Sequence, residues 1–169
     1  MDPSSEAEFL RFVADASPAL LRAAYALTGQ QQAAEDLVQT AFERVAGRWP
    51  GLTDPYSYAR RVMYHQHISW WRRFRRREVT VAQHVDRAAP GDLSRDVALR
   101  GDLRAALDQL GPRQRAVLVL RYLEDRSVEE VAELLGCSPG TVRSQASRAL
   151  LRLRELAGTQ TGARTGVER

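Results

Sequence analysis

Thr141, Arg143, Ser144, Ser147, Arg148 and Arg152 recur at the spacing of one side of a helix that begins near Pro139. At about 100° per residue, Val142, Ala146, Ala149, Leu150, Leu153 and Leu156 occupy the other side. The first side is small, hydrogen-bonding and positive. It starts at a helix N-terminus, where unpaired N–H groups and the helix dipole both favour phosphate. Such a surface fits the major groove of duplex DNA, with arginines reaching guanine edges or phosphates and hydroxyls reaching either. The competing interpretation is an ordinary helical hairpin with a solvated basic side.

A second group of residues points to nucleic acid in another way. From Pro55 to Arg77 the chain reads PYSYARRVMYHQHISWWRRFRRR, with Tyr56, Tyr58, Tyr64, Trp70, Trp71 and Phe74 among seven arginines. Arginines hold phosphates, and aromatic faces stack on unpaired bases at roughly 1–3 kcal/mol each. Tyr56 and Trp71 serve equally well as core. The arginine run Arg72–Arg77 does not, and its alternative is a solvated charge cluster.

Other reactive residues form no site. His65 and His67 are two apart, which turns them away from each other on a helix and suits a metal poorly. His84 lies in a segment without periodicity, and Cys137 is a turn residue with no basic neighbour in sequence. No paired carboxylates, nucleophile motif or phosphate-cradling loop stands out. An enzyme is therefore disfavoured, and no metal or cofactor is expected.

The elements that must position these groups are helices. Glu6–Asp15 reads as a short amphipathic helix, and Ser17-Pro18 opens a second that Gly29 ends. Gln31–Ala46 is a third, with Glu35, Asp36, Gln39, Thr40 and Glu43 outward. Trp49-Pro50-Gly51 breaks the chain, and Thr53-Asp54-Pro55 caps the aromatic and basic helix. Glu78–Arg95 is mixed, holds Pro90-Gly91, and reads as a flexible linker. Asp96–Leu110 and Pro112–Leu123 come next as helices. Ser127 then caps a helix with Glu130 completing a capping box, Gly136 ends it, and Ser138-Pro139 starts the last. Beyond Ala157 the Gly/Thr-rich end reads as a disordered tail over residues 158–169. The fold class expected is all-α: two small helical domains, 1–78 and 96–157, joined by the linker 79–95, with a C-terminal helix-turn-helix.

The 169 residues carry a net charge of +4, unevenly spread. Met1–Tyr58 has four arginines against eight acids, whereas Ala59–Arg77 has seven arginines and no acid. Ser138–Arg169 is again basic, with six arginines against two glutamates. Two basic patches on a balanced chain suggest two contacts with one polyanion. Every basic residue is Arg, which reads first as codon bias of a GC-rich genome. One cysteine excludes an internal disulfide framework. No apolar run reaches the roughly 18 residues of a membrane span, and no signal peptide is visible. A soluble cytoplasmic protein without membrane contact is the expectation.

AEDLVQTAF at Ala34–Phe42, and LGPRQRAVLVLRYLEDRSVEEVAELLGCSPGTVRSQASRAL at Leu110–Leu150, resemble the extracytoplasmic-function (ECF) group of sigma-70-type sigma factors. The resemblance covers about Glu6 to Ala157. It implies core RNA polymerase and promoter DNA as partners, with an anti-sigma factor as a further one. It places Asp36, Gln39 and Phe42 on the polymerase-binding helix, with Thr40 where an acid is usual. It gives minus-10 contacts to Trp49, Tyr58, Arg61, His65, Trp70, Arg72 and Arg73, the loop Trp49–Asp54 capturing a flipped base. Tyr58, His65 and Ser69 stand where Trp, Asn and Asp are common. Thr141, Arg143, Ser144, Ser147 and Arg148 fall at the minus-35 contact positions. The alternative is a helix-turn-helix repressor or activator with an N-terminal regulatory domain, which needs no platform for single strands.

Overall fold

The computed structural model describes residues 2–77 and 95–164, and every regular element among them is helical. The expected linker Glu78–Arg95 lies outside the described residues except for Arg95, which opens a helix.

Helix α1 spans Pro3–Thr28, where two helices are expected. Asp2 caps it by accepting from the N–H groups of Ser4 and Ser5 at 3.1 and 3.0 Å. Pro18 sits inside it without ending it. The Ser17 hydroxyl donates to the Val13 carbonyl at 2.5 Å, so this turn keeps an extra bond beside the one the proline forfeits. Leu20 and Leu27 are at most 1% exposed. Burying each stabilises by about 1.5–3 kcal/mol, which together offsets the roughly 3 kcal/mol cost of an internal proline. Gly29 closes the helix at φ 71°, its N–H donating to Tyr25.

Helix α2 covers Gln31–Ala46, as the sequence pattern predicts, and buries Ala34, Leu37, Val38, Ala41 and Val45 against α1 and α3. Helix α3, Pro55–Arg77, starts where Asp54 accepts from the Ser57 N–H at 3.0 Å. Hydrogen bonds from Ser57 hold the Asp54 carboxyl below its usual range.

Helix α4 is Arg95–Asp108 and α5 is Pro112–Leu118. The chain then runs into a π-helical turn, Val119–Leu123, closed by the Glu124 N–H on the Val119 carbonyl. A regular helix is expected there; the wider turn inserts one residue and shifts the register of the residues beyond it. Helix α6, Val128–Leu135, has the capping box: Ser127 Oγ accepts from the Glu130 N–H, and Glu130 accepts from the Ser127 N–H at 2.7 Å. That backbone N–H holds the Glu130 carboxyl below its ordinary value. Helix α7 runs Pro139–Arg164, past the expected end at Ala157. Gly158 and Gly162 cost a helix about 1 kcal/mol each, too little to end it without a proline.

One buried cluster joins the N-terminal helices to the C-terminal ones. Met63, Tyr64 and Ile68 of α3 belong to it with Val117, Leu120, Val131 and Val142. Polar contacts mark the seam. Arg115 of α5 donates to the Ala26 carbonyl at 2.7 Å and pairs with Asp108 at 2.6 Å. Arg104 donates to the Tyr25 hydroxyl at 3.0 Å and lies over its ring. Helix α1 has no basic residue in its last turn, so these two arginines supply the cations its carbonyl end favours. A Cβ at Gly29 would come within 3.1 Å of Asp108 and 3.3 Å of Arg104 and Arg115.

His67, 5% exposed, lies on the buried side of α3. Burial, reinforced by the Arg115 charge, lowers its pKa from 6.5 to about 4. Below pH 6.5 the unfolded chain takes up a proton that the folded chain refuses until about pH 4. Stability is therefore full above pH 6.5 and falls as the pH drops towards 4, by about 3 kcal/mol from this group. Urea titrations between pH 7.5 and 4.5 should show that slope, and His67→Gln should flatten it.

Candidate nucleic-acid interface

Helix α7 presents its polar side as the residue spacing predicts. Arg143, Ser144, Ser147 and Arg148 are exposed, while Val142 and Ala149 on the opposite side are fully buried. Ser138 caps the helix, its Oγ accepting from the Thr141 N–H at 3.1 Å and lying 2.9 Å from the Thr141 hydroxyl. Ser144 donates to the Thr141 carbonyl at 3.0 Å. No acid occupies the first turn, so nothing on the helix offsets its positive end. Arg143 meets Glu129 of α6 at 3.5 Å, with both side chains more than 60% exposed. An ion pair so exposed is worth about 1 kcal/mol at most and leaves Arg143 available to another anion.

The residues assigned to the minus-10 element do not form one surface. On α3, Tyr58, Arg61, His65 and Arg72 fall within about 60° of one another around the helix. Arg61, His65 and Arg72 are exposed. The Arg48 guanidinium lies 5.1 Å from the centre of the half-buried Tyr58 ring. Trp70, 40% exposed, projects from another side, and Arg73 is placed only by its position on α3. The Trp49 ring turns into a cluster with Phe9 at 5.5 Å and Phe12 at 5.7 Å. Its indole N–H is buried without a hydrogen-bond partner.

Three sequence candidates on α2 sit together at one face. Asp36 and Gln39 are exposed and belong to a ladder of i,i+4 pairs. Gln32 donates to Asp36 at 3.0 Å, Gln39 to Glu43 at 3.1 Å, and Gln31 to Glu35 at 2.8 Å. Phe42 is half-buried edge-on against Phe12 at 5.9 Å. The Thr40 hydroxyl donates back to the Asp36 carbonyl at 2.9 Å.

Sequence reasoning misses the seam itself. Glu124 lies between two α3 residues: the Tyr64 hydroxyl donates to Oε1 at 2.8 Å, and Arg60 Nε stands 3.4 Å from Oε2. Burial, with the Glu124 charge, holds the Tyr64 phenol protonated far above its usual range. His65 Nε2 donates to the Leu134 carbonyl at 2.8 Å, near the end of α6. Ile68 lines a small cleft with Cys137, Thr141, Val142 and Gln145. Nothing local in the sequence announces these pairings. Among the described residues no group of three or more His, Cys, Asp or Glu is placed to hold a metal.

The packing of Trp49 makes a direct prediction. Trp49→Ala should destabilise the chain by somewhat less than the roughly 3–5 kcal/mol of a fully buried aromatic, read by chemical denaturation without DNA. A tryptophan serving DNA alone would leave stability unchanged.

The family described as sigma-70 region 2 matches residues 12–78, and that described as sigma-70 region 4 matches residues 100–153. The chain is 44% identical to the RNA polymerase sigma-E factor of Streptomyces avermitilis over 151 residues, covering 88% of this chain and 84% of that one. It is 36% identical to the ECF RNA polymerase sigma factor SigE of Mycolicibacterium smegmatis, covering 79% of this chain and 55% of that one. Among solved structures it is similar to the sigma factor RpoE of Bartonella quintana, in complex with the anti-sigma factor NepR. The TM-score is 0.67 and the identity 25%, over 89% of this chain and 97% of that one. The region 2 match sets aside the repressor alternative. The chain belongs to the ECF group of the sigma-70 family, the sigma factors that bind core RNA polymerase and direct it to promoters.

Proposed function

We propose that the unit over residues 96–157 reads the minus-35 element with α7, and that the unit over residues 1–78 binds core polymerase and the minus-10 element. Thr141, Arg143, Ser144, Ser147 and Arg148 contact the duplex. Trp49, Tyr58, Arg61, His65, Trp70, Arg72 and Arg73 serve the minus-10 element. Asp36, Gln39 and Phe42 dock on polymerase. The observation that carries this reading is the exposed Arg143–Arg148 side of α7, whose start is capped by Ser138 and whose back is buried. The chain acts in the cytoplasm by binding alone, without catalysing a reaction. No described helix is long and apolar enough to cross a membrane. The pairing of the Bartonella relative with NepR supports a protein inhibitor of that kind as a third partner.

Charge and stacking divide the work. Arginines bind either form of DNA, with a steep salt dependence. Aromatic faces favour strands whose bases are unpaired, and exposing a base costs a few kcal/mol that a pocket must offset.

Holoenzyme carrying Arg143→Ala should bind a minus-35 duplex more weakly by roughly 1–3 kcal/mol, measured by fluorescence anisotropy at moderate salt. Unchanged binding in both Arg143→Ala and Arg148→Ala would remove α7 from recognition. The double variant Asp36→Ala, Gln39→Ala should keep its circular dichroism spectrum yet compete poorly for core polymerase; equal competition would leave Asp36 a surface acid. Tyr58→Ala should slow open-complex formation on a closed promoter far more than on one mismatched across the minus-10 element. Equal defects on the two templates would withdraw the melting role.

A further inference from the structure

We propose that Glu129 of α6 is a specificity-determining residue for minus-35 recognition. Set beside Arg143, it directs that arginine to a base edge and away from phosphates, which are left to Arg148. The inference rests on the assignment of α7 to the minus-35 element.

The reading side of α7 carries two arginines in unlike settings. Arg143 Nη2 stands 3.5 Å from Glu129 Oε1, and the two side chains are 63% and 69% exposed. Arg148 is exposed and has no ion pair among the described residues. The neighbouring acid, Glu130, is engaged elsewhere, by the Ser127 N–H at 2.7 Å and Arg126 at 3.2 Å. Both ends of the Glu129–Arg143 pair stand on fixed backbone. Glu129 lies in the first turn of α6, closed by the capping box and anchored by the buried Val131, Ala132 and Leu134. Arg143 follows Val142, which is fully buried.

A guanidinium has five N–H donors in one plane. At 3.5 Å the contact with Glu129 is longer than the about 2.7–2.9 Å of a charge-assisted hydrogen bond. A ligand can therefore take two donors while Glu129 stays in place. The nature of that ligand then decides the energy. Guanine offers O6 and N7, two uncharged acceptors that match a bidentate arginine. A phosphate offers a full negative charge, and to reach Arg143 it must bring that charge up to the Glu129 carboxylate. At a separation well inside the Debye length of about 8 Å, this repulsion is only partly screened. Glu129 thus penalises the sequence-blind contact and spares the base contact, which is discrimination by an added repulsion. Arg148 has no acid beside it and suits a phosphate, a contact that positions without reading sequence. An acid in the first turn of α6 also complements the helix dipole. That role alone would alter stability and leave DNA discrimination untouched.

The test uses holoenzyme and two labelled duplexes. One is selected by wild-type holoenzyme from a pool randomised across the minus-35 element, and the other has the same composition in scrambled order. Fluorescence anisotropy gives the ratio of the two affinities, with core polymerase alone as the blank. Glu129→Gln should tighten binding of the scrambled duplex and lower the ratio about threefold to fivefold, the range open to an exposed pair. Its salt dependence on the scrambled duplex should steepen by about 0.9 in log–log slope, for one added phosphate contact. In an Arg143→Ala background the same change should do nothing. Glu133→Gln removes an exposed acid of the same helix that is not paired with Arg143, and should leave ratio and slope as in wild type. Arg148→Ala should weaken both duplexes alike. An unchanged ratio in Glu129→Gln, a change that persists without Arg143, or an equal change in Glu133→Gln would overturn the role of Glu129. A loss confined to the selected duplex in Arg148→Ala would overturn the division between the arginines. If neither arginine variant alters binding of the selected duplex, the assignment of α7 itself falls. Lost discrimination in Arg143→Ala beside an unmoved Glu129→Gln would sink this inference and spare that assignment.

Discussion

A carboxylate withdrawn from water must find its hydrogen bonds and its counter-charge in the protein; on α3 Glu124 finds one hydrogen bond, from Tyr64 to Oε1, and the Arg60 charge beside Oε2, which accepts no hydrogen bond. Much of the architecture depends on this placement. The π-helical turn shifts the register just before Glu124, and Arg126 beyond it bonds back to the Leu120 carbonyl. Tyr64 remains a neutral donor because its phenol is buried beside that charge. Arg60, which also lies near the Tyr56 ring, is held on the inner side of the helix. The outer side is left to Arg61, His65 and Arg72.

Opposite charges are kept on different helices, which suits a protein with two unlike partners. Helix α2 carries an exposed ladder of amides and carboxylates, while the second half of α3 has arginines and no acid. A mixed surface would bind either partner weakly and discriminate poorly between them.

Local chemistry was legible in the sequence, and long-range chemistry was not. The bounds of α2, the capping box at Ser127, the left-handed Gly136 and the Ser138-Pro139 start of α7 depend on neighbours within four residues, and all are found in place. Pro18 misleads because a local rule yields to the burial of Leu20 and Leu27, which no local pattern measures. The polar side of α7 is read correctly from its period. The division of α3 is not: Tyr64 lies on the buried side with Met63, His67 and Ile68, and the acid it bonds to is sixty residues away. Trp49 looks like a stacking residue in sequence; Phe9 and Phe12, far upstream, give its ring somewhere else to go.

Gly29 holds two constraints at a single α-carbon. Its left-handed backbone ends α1, and its missing side chain leaves room for Asp108, Arg104 and Arg115 to approach. Asparagine, which often tolerates such a backbone, would satisfy the first demand and press on the second, where three side-chain ends would have to give by a few tenths of an ångström. The position thus behaves as a keyhole cut for its absence of bulk. A side chain there bears at once on the end of the first helix and on the seating of the fourth and fifth.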